Sequence, residues 1–254
     1  MRRRVTTVVV LLLAGLTFAG CASSQKRAFR SLEKKHHSAV TPVPQTADWA
    51  AKWWRPRHES VCAKLAGEDT DLLFIGDSIT HGWENAGKEI WEQYYAPRNA
   101  VNMGFGGDRT QHVLWRLDHC EFAVRPKLAI VMIGTNNSNR KDNTAEEIAD
   151  GIIAVCHRLR EHLPQTKILL LAIFPRNPLP DPQREKNAKA SRLASRIADG
   201  KTVYYMDIGE KFLTQKGILT QKIMPDYLHP NAVGYQIWAE AIEAQVAELM
   251  GERG

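Results

Sequence analysis

The chain has 254 residues, of which 44% are apolar and 24% charged, and a formal net charge of +6. That length suits one sizeable domain with a terminal extension, and the composition is that of a globular chain able to bury a core. Half of the net charge sits in Arg2, Arg3 and Arg4; beyond them no Lys/Arg-rich tract interleaved with aromatics occurs, which argues against nucleic acid as a partner.

The three arginines open a leader. They precede an apolar run from Val5 to Phe18 that is too short for a comfortable membrane span. The run ends in Phe18-Ala-Gly-Cys21, which resembles a bacterial lipobox with Phe18 where that pattern usually carries Leu. Residues 1–20 are therefore expected to be a cleaved lipoprotein-type signal peptide and Cys21 the lipidated residue, placing the protein at the bacterial cell envelope. An ordinary secretory signal, with a secreted product, is the alternative. Acyl chains on Cys21 would anchor it stably, since each buried methylene contributes about 0.8 kcal/mol. Residues 21–46 are polar, basic and punctuated by Thr41-Pro-Val-Pro44, and read as a flexible tether with a reach of roughly 80 Å. The folded domain is expected over 47–254.

Within the domain, Trp49 to Leu65 is predicted helical, and Leu72-Leu-Phe-Ile75 is an unbroken apolar strand that stops at Gly76-Asp77-Ser78. A short strand at Ala100–Met103, a helix from Thr110 to Leu117 and a fully apolar strand at Leu128–Ile133 follow. Thr144-Ala-Glu-Glu147 is a capping box that opens a helix with the stripe Ile148, Ile152, Val155, Leu159, stopping at Leu163-Pro164. Ile168–Phe174 is the next strand, Gln183–Ala198 a helix, Val203–Met206 the last strand, and Ala232 to Met250 the closing helix. Apolar strands alternating with helices predict a three-layer α/β/α sandwich around a parallel sheet. Cys62, Cys120 and Cys156 form no C-x-x-C; a Cys62–Cys120 bridge stays open, and Cys156 falls on the apolar side of its helix.

A serine at the carboxyl end of a central strand stands where open parallel sheets place their active-site crevice. Its simplest structural role would be to cap the next helix. Asp226-Tyr-Leu-His229, ahead of the last helix, supplies what a nucleophile needs: an imidazole to take the proton and a carboxylate to orient it. Two further strand ends offer donors for an oxyanion, the glycine turn Asn102–Asp108 and the amide in Gly134-Thr-Asn136-Asn137. Gly104-x-Gly106 does not complete a dinucleotide fingerprint, because Arg109 occupies the third glycine position, and no G-K-[ST] is present. The serine also lacks the G-x-S-x-G elbow.

The blocks Gly76-Asp77-Ser78-Ile79, Asn102-x-Gly104-x-x-Gly107, Gly134-Thr-Asn-Asn137 and Asp226-x-x-His229 resemble those of the SGNH, or GDSL-type, hydrolases, and among them the catalytic subunits of intracellular platelet-activating factor acetylhydrolase. The resemblance implies a flavodoxin-like SGNH fold without metal or organic cofactor. It implies Ser78 as nucleophile, His229 as general base and Asp226 as its orienting acid, with an oxyanion hole of the Ser78 and Gly107 backbone N–H groups and the Asn136 amide. Ile79 and Leu228, which flank nucleophile and base, are read from position as the walls of an acyl pocket. Asp77 is expected to hydrogen-bond the turn, and Asp108 to pair with Arg109 at the cleft rim. The expected activity is hydrolysis of short O-acyl esters, chiefly acetyl, on carbohydrate or lipid. A lysophospholipase or thioesterase of the same fold, and a non-catalytic surface protein that binds glycan, are the alternatives. Oligomeric state is open, a homodimer included.

Overall fold

Five apolar runs become five strands: β1 (Leu72–Gly76), β2 (Ala100–Gly104), β3 (Leu128–Met132), β4 (Lys167–Leu171) and β5 (Val203–Met206). They pair in the order β2-β1-β3-β4-β5, every pair parallel, in a computed structural model that describes residues 24–67, 69–139 and 142–252. The pleat sends alternate side chains to opposite faces. Leu73, Ile75, Ala129, Val131, Ile168 and Leu170 enter one core, and Leu72, Phe74, Leu128, Ile130, Leu169 and Leu171 the other. Two covered faces explain why these strands read as continuous apolar runs instead of alternating ones.

Helix α1 (residues 24–32) precedes the first strand, as does α2 (Trp54–Gly67). The short α3 (Ser78–His81) and α4 (Lys88–Tyr94) follow β1, α5 (Thr110–Asp118) follows β2, and α6 (Ala145–His162) follows β3. Helix α7 (Pro182–Ala194) lies between β4 and β5, and α8 (Ala232–Met250) closes the chain. Side chains of α1, α2, α5, α6 and α7 contribute to one core, and those of α3, α4 and α8 to the other. The three-layer sandwich expected from the sequence is therefore the observed one.

Helix α6 shows the link from sequence to packing. The Glu147 N–H donates to the Thr144 hydroxyl at 3.2 Å, and the Thr144 N–H returns to the Glu147 carboxylate at 2.9 Å. The stripe Ile148, Ile152, Val155 and Leu159 is buried throughout, with Cys156 beside it. Cys62 and Cys120 are joined as a disulfide, with Cα atoms 5.3 Å apart.

The segment expected to be a free tether is packed from residue 24 onward. Ala28 is buried, Phe29 and Leu32 lie against the core, and the Gln25 amide donates to the Ile197 carbonyl at 3.0 Å. Further along, Ala39 is completely buried and its carbonyl accepts the Thr110 hydroxyl at 2.7 Å. Lys35 and His37 reach the largely buried Asp150 at 2.9 and 3.4 Å. The sparse apolar residues of this stretch misled a reading by composition, because Ala28, Phe29, Leu32 and Ala39 are spent on the core while Lys35 and His37 meet a buried carboxylate. The expected signal peptide (residues 1–20) and Cys21 lie outside the described residues.

Candidate active site

The sheet order reverses between β1 and β3, since the chain leaves β1 for β2 on one side and returns to β3 on the other. Crevices open at such a switch point, beyond the carboxyl ends of the strands. Ser78 follows β1 there. Asp77 is the N-cap of α3, and its carboxylate accepts the Ile79 N–H at 3.0 Å. This is the turn-holding role expected of Asp77. The turn is tight enough that a Cβ on Gly76 would run into the Thr80 side chain and the Met132 carbonyl.

Asp226 and His229 come from the loop before α8, at the same sheet edge. His229 Nε2 lies 2.8 Å from Ser78 Oγ, and His229 Nδ1 lies 2.6 Å from Asp226 Oδ2. The other Asp226 oxygen accepts the backbone N–H groups of Leu228 and His229 at 3.0 and 2.7 Å. Burial works against charge on Asp226, but these N–H groups and the imidazole outweigh it and hold the carboxyl below the usual carboxylate range. Three-residue spacing achieves this because Tyr227 takes a left-handed conformation, φ 60°, that folds the loop back. Its carbonyl is held by the Asn177 N–H at 2.9 Å.

Gly107 has φ 71°, which a side chain would strain, and a Cβ there would meet the indole of Trp49. The Asn136 amide donates to the Asp108 carbonyl at 2.9 Å, one residue past Gly107, so one amide proton is used and a second remains for a ligand. Ser78, at the first helical position of α3, likewise has a backbone N–H with no place in the intrahelical ladder. The three expected oxyanion donors thus sit on the turns that follow β1, β2 and β3.

Two expectations are corrected. Ile79 does not line an open pocket: it is 1% exposed and belongs to the core shared with Trp83, Tyr235 and Trp238. The α3 turn points it inward, and the Tyr235 hydroxyl fixes that turn by donating to the Ile79 carbonyl at 2.7 Å. Trp83 is fully buried in the same core, whereas Leu228 is half-buried against it. Asp108 does not pair with Arg109 either. It is buried with Arg116, whose Nε donates to it at 2.8 Å, while Trp54 Nε1 donates to its other oxygen at 2.7 Å. Arg109 instead reaches Asp142 at 2.7 Å. In α5 position 116 turns back toward the glycine turn, so the partner is eight residues away in sequence and adjacent in space.

Sequence reasoning also missed Arg176, just past β4. Its Nη1 lies 3.3 Å from both the carbonyl and the hydroxyl of Thr135 and 3.2 Å from the Asn139 amide oxygen, bracketing Asn136. Trp49 was missed too, since nothing in its local sequence links it to a turn 58 residues downstream. The residue is 58% exposed.

A Ser–His–Asp hydrogen-bond relay at the carboxyl edge of a three-layer parallel sheet, without the G-x-S-x-G elbow, is the arrangement of a serine acyl hydrolase. The model of the GDSL-like lipase/acylhydrolase family matches residues 74–237. The chain is 33% identical, over 222 residues covering 87% of its length and 93% of the relative, to platelet-activating factor acetylhydrolase IB subunit alpha1 of Homo sapiens. Its fold is similar to a putative platelet activating factor from Streptococcus pneumonia, with a TM-score of 0.67 and 24% identity over 78% of this chain and 95% of that one. It is also similar to Est24, a carbohydrate acetylesterase from Sinorhizobium meliloti, with a TM-score of 0.54 and 21% identity over 71% and 100% of the two chains. This chain belongs to the GDSL-like lipase/acylhydrolase family and is a carboxylic ester hydrolase.

Proposed function

We propose that the protein is a serine esterase that removes short O-acyl groups, chiefly acetyl, from carbohydrate or lipid through an acyl-enzyme. The observation that carries this reading is the relay from Ser78 through His229 to Asp226, at 2.8 and 2.6 Å. Ser78 Oγ attacks the ester carbonyl as His229 Nε2 takes its proton, and Asp226 stabilises the imidazolium that forms. The N–H groups of Ser78 and Gly107 and the Asn136 amide receive the oxyanion. The tetrahedral intermediate collapses as His229 returns the proton to the departing alkoxide, which leaves as an alcohol. A water then attacks the acyl-enzyme and gives a proton to His229. Acetate leaves and Ser78 regains its hydrogen.

Ile79 and Trp83, close to Ser78 in sequence, are closed into the core. A short acyl group is supported by the acetyl-ester chemistry named for Est24 and for the platelet-activating factor acetylhydrolase relatives. The non-catalytic, glycan-binding reading gains no support from an assembled relay. In the same proposal Cys21 carries the lipid anchor at the cell envelope, supported by the leader pattern alone.

Hydrolysis of p-nitrophenyl esters from acetyl to octanoyl, with wild type beside Ser78→Ala, tests the assignment. Acetyl is expected to be preferred, and Ser78→Ala to lose at least roughly a thousandfold in kcat. Equal activity in both proteins would remove Ser78 from the chemistry, and a preference for octanoyl would move the lipase reading ahead.

A further inference from the structure

The turn that carries Gly107 has an aromatic wall. The Trp49 indole lies against Gly107 where a side chain would otherwise stand, and the Trp53 ring comes within 3.5 Å of the corresponding position on Gly106. The two rings are 6.1 Å apart and tilted by 32°, and Trp53 Nε1 donates to the Trp49 carbonyl at 3.2 Å, so one ring holds the other's backbone. Trp53 is backed in turn by His81 and Phe105, at 5.6 and 6.5 Å. Trp49 nevertheless leaves 58% of its surface open. An indole anchored from behind and bare in front, beside a proposed oxyanion donor, is unsatisfied as a packing residue and suited to a ligand.

We propose that Trp49, supported by Trp53, is a stacking platform for the sugar ring that bears the scissile acetyl group, so that the substrate class of this site is an O-acetylated saccharide. The inference rests on the esterase reading above. When the acetyl carbonyl faces Gly107 and Asn136, the alcohol half of the ester begins one oxygen away, over the same turn. A pyranose presents an apolar face of C–H bonds that matches the electron-rich face of an indole, and a rim of hydroxyls that needs polar neighbours. Such neighbours stand at hand: Arg109 and Asp142, joined at 2.7 Å, are each about one third exposed next to the turn. A phosphocholine headgroup fits less well. Two rings at 32° do not enclose a quaternary ammonium.

The test compares wild type, Trp49→Phe and Trp49→Ala on three esters: peracetylated methyl glucoside, ethyl acetate and a 2-acetyl ether phosphocholine lipid. Trp49→Ala is expected to lower the preference for the glucoside over ethyl acetate, as a ratio of kcat/KM, by about tenfold, the change lying in KM, with Trp49→Phe intermediate. Parallel losses on glucoside and ethyl acetate would overturn the proposal, because the ring would then only hold the turn. So would an unchanged ratio, or a selective loss on the phosphocholine lipid. Wild type that hydrolyses ethyl acetate but not the glucoside refutes the platform alone. Wild type inert toward all three esters refutes the esterase reading and the platform with it.

Discussion

Asp77 is completely buried beside the nucleophile, and burial pushes its carboxyl up to about 7 against the opposing pull of the Ile79 N–H and of His229. The sign of its effect on stability follows. Between about pH 4 and 7 the folded chain keeps this proton while the unfolded chain loses it, so raising the pH across that window lowers the stability of the native state. Asp77→Asn, which keeps an oxygen for the Ile79 N–H, is therefore expected to gain stability relative to wild type as pH rises across that window. The gain should reach up to about 4 kcal/mol by pH 7 and vanish below pH 4. Denaturant unfolding of both proteins from pH 4 to 8 reads the difference, and a constant gap would show that Asp77 is ionised throughout. At this scale Ser78, Asp226 and His229 were legible because few residue types do their chemistry. The partner of Asp108 was not, because the choice between Arg109 and Arg116 depends on which way α5 departs from the turn.

Among the elements, helices with complete signals were read closely: α6 begins at its capping box and ends at His162, capped by Leu163, and α8 spans Ala232–Met250 as expected. Strand ends were read less well. The apolar run through Phe174 continues past β4, which stops at Leu171: the Ala172 N–H still donates to the Met206 carbonyl of β5 at 2.9 Å, but the Ile173 N–H turns to the Ser191 hydroxyl at 3.0 Å. Apolarity reports burial and does not report pairing. The loop after β3 is what turns a strand end into a donor. Arg176 holds Thr135 and Asn139, Asn187 adds a contact to the Thr135 hydroxyl at 3.4 Å, and Gln183 reaches Asn139 at 3.0 Å. With the loop framed from outside, Asn136→Ala should remove a donor without loosening the backbone. Turnover is expected to fall by at least roughly a hundredfold, with the circular dichroism spectrum and melting temperature close to wild type. Near-normal turnover would exclude Asn136 from the oxyanion hole.

For the molecule as a whole, the N-terminal segment is part of the domain. Its contacts run from Gln25 on Ile197, through Lys35 and His37 on Asp150, to Val43, whose N–H donates to the Gln111 carbonyl at 3.3 Å. The path ends by delivering Trp49 to the glycine turn. A protein starting at residue 47 is expected to melt at least about 4 °C below one starting at residue 22, since the buried Thr110 and Asp150 lose partners along with the apolar contacts. Equal melting temperatures would restore the free-tether reading. If Cys21 is lipidated, this packing also brings the catalytic domain close to the membrane surface, in place of a long reach.

The sequence by itself determined the sheet, its two covered faces and the serine, histidine and aspartate, since hydrophobic period and reactive residue type are local properties written at each position. Only the tertiary structure decided that Arg116 neutralises Asp108, that Arg176 frames Asn136, that Ile79 belongs to the core and that Trp49 stands over Gly107. Each of these joins residues far apart in sequence through the direction a side chain takes from its element, and that direction is set by packing, which no local pattern encodes.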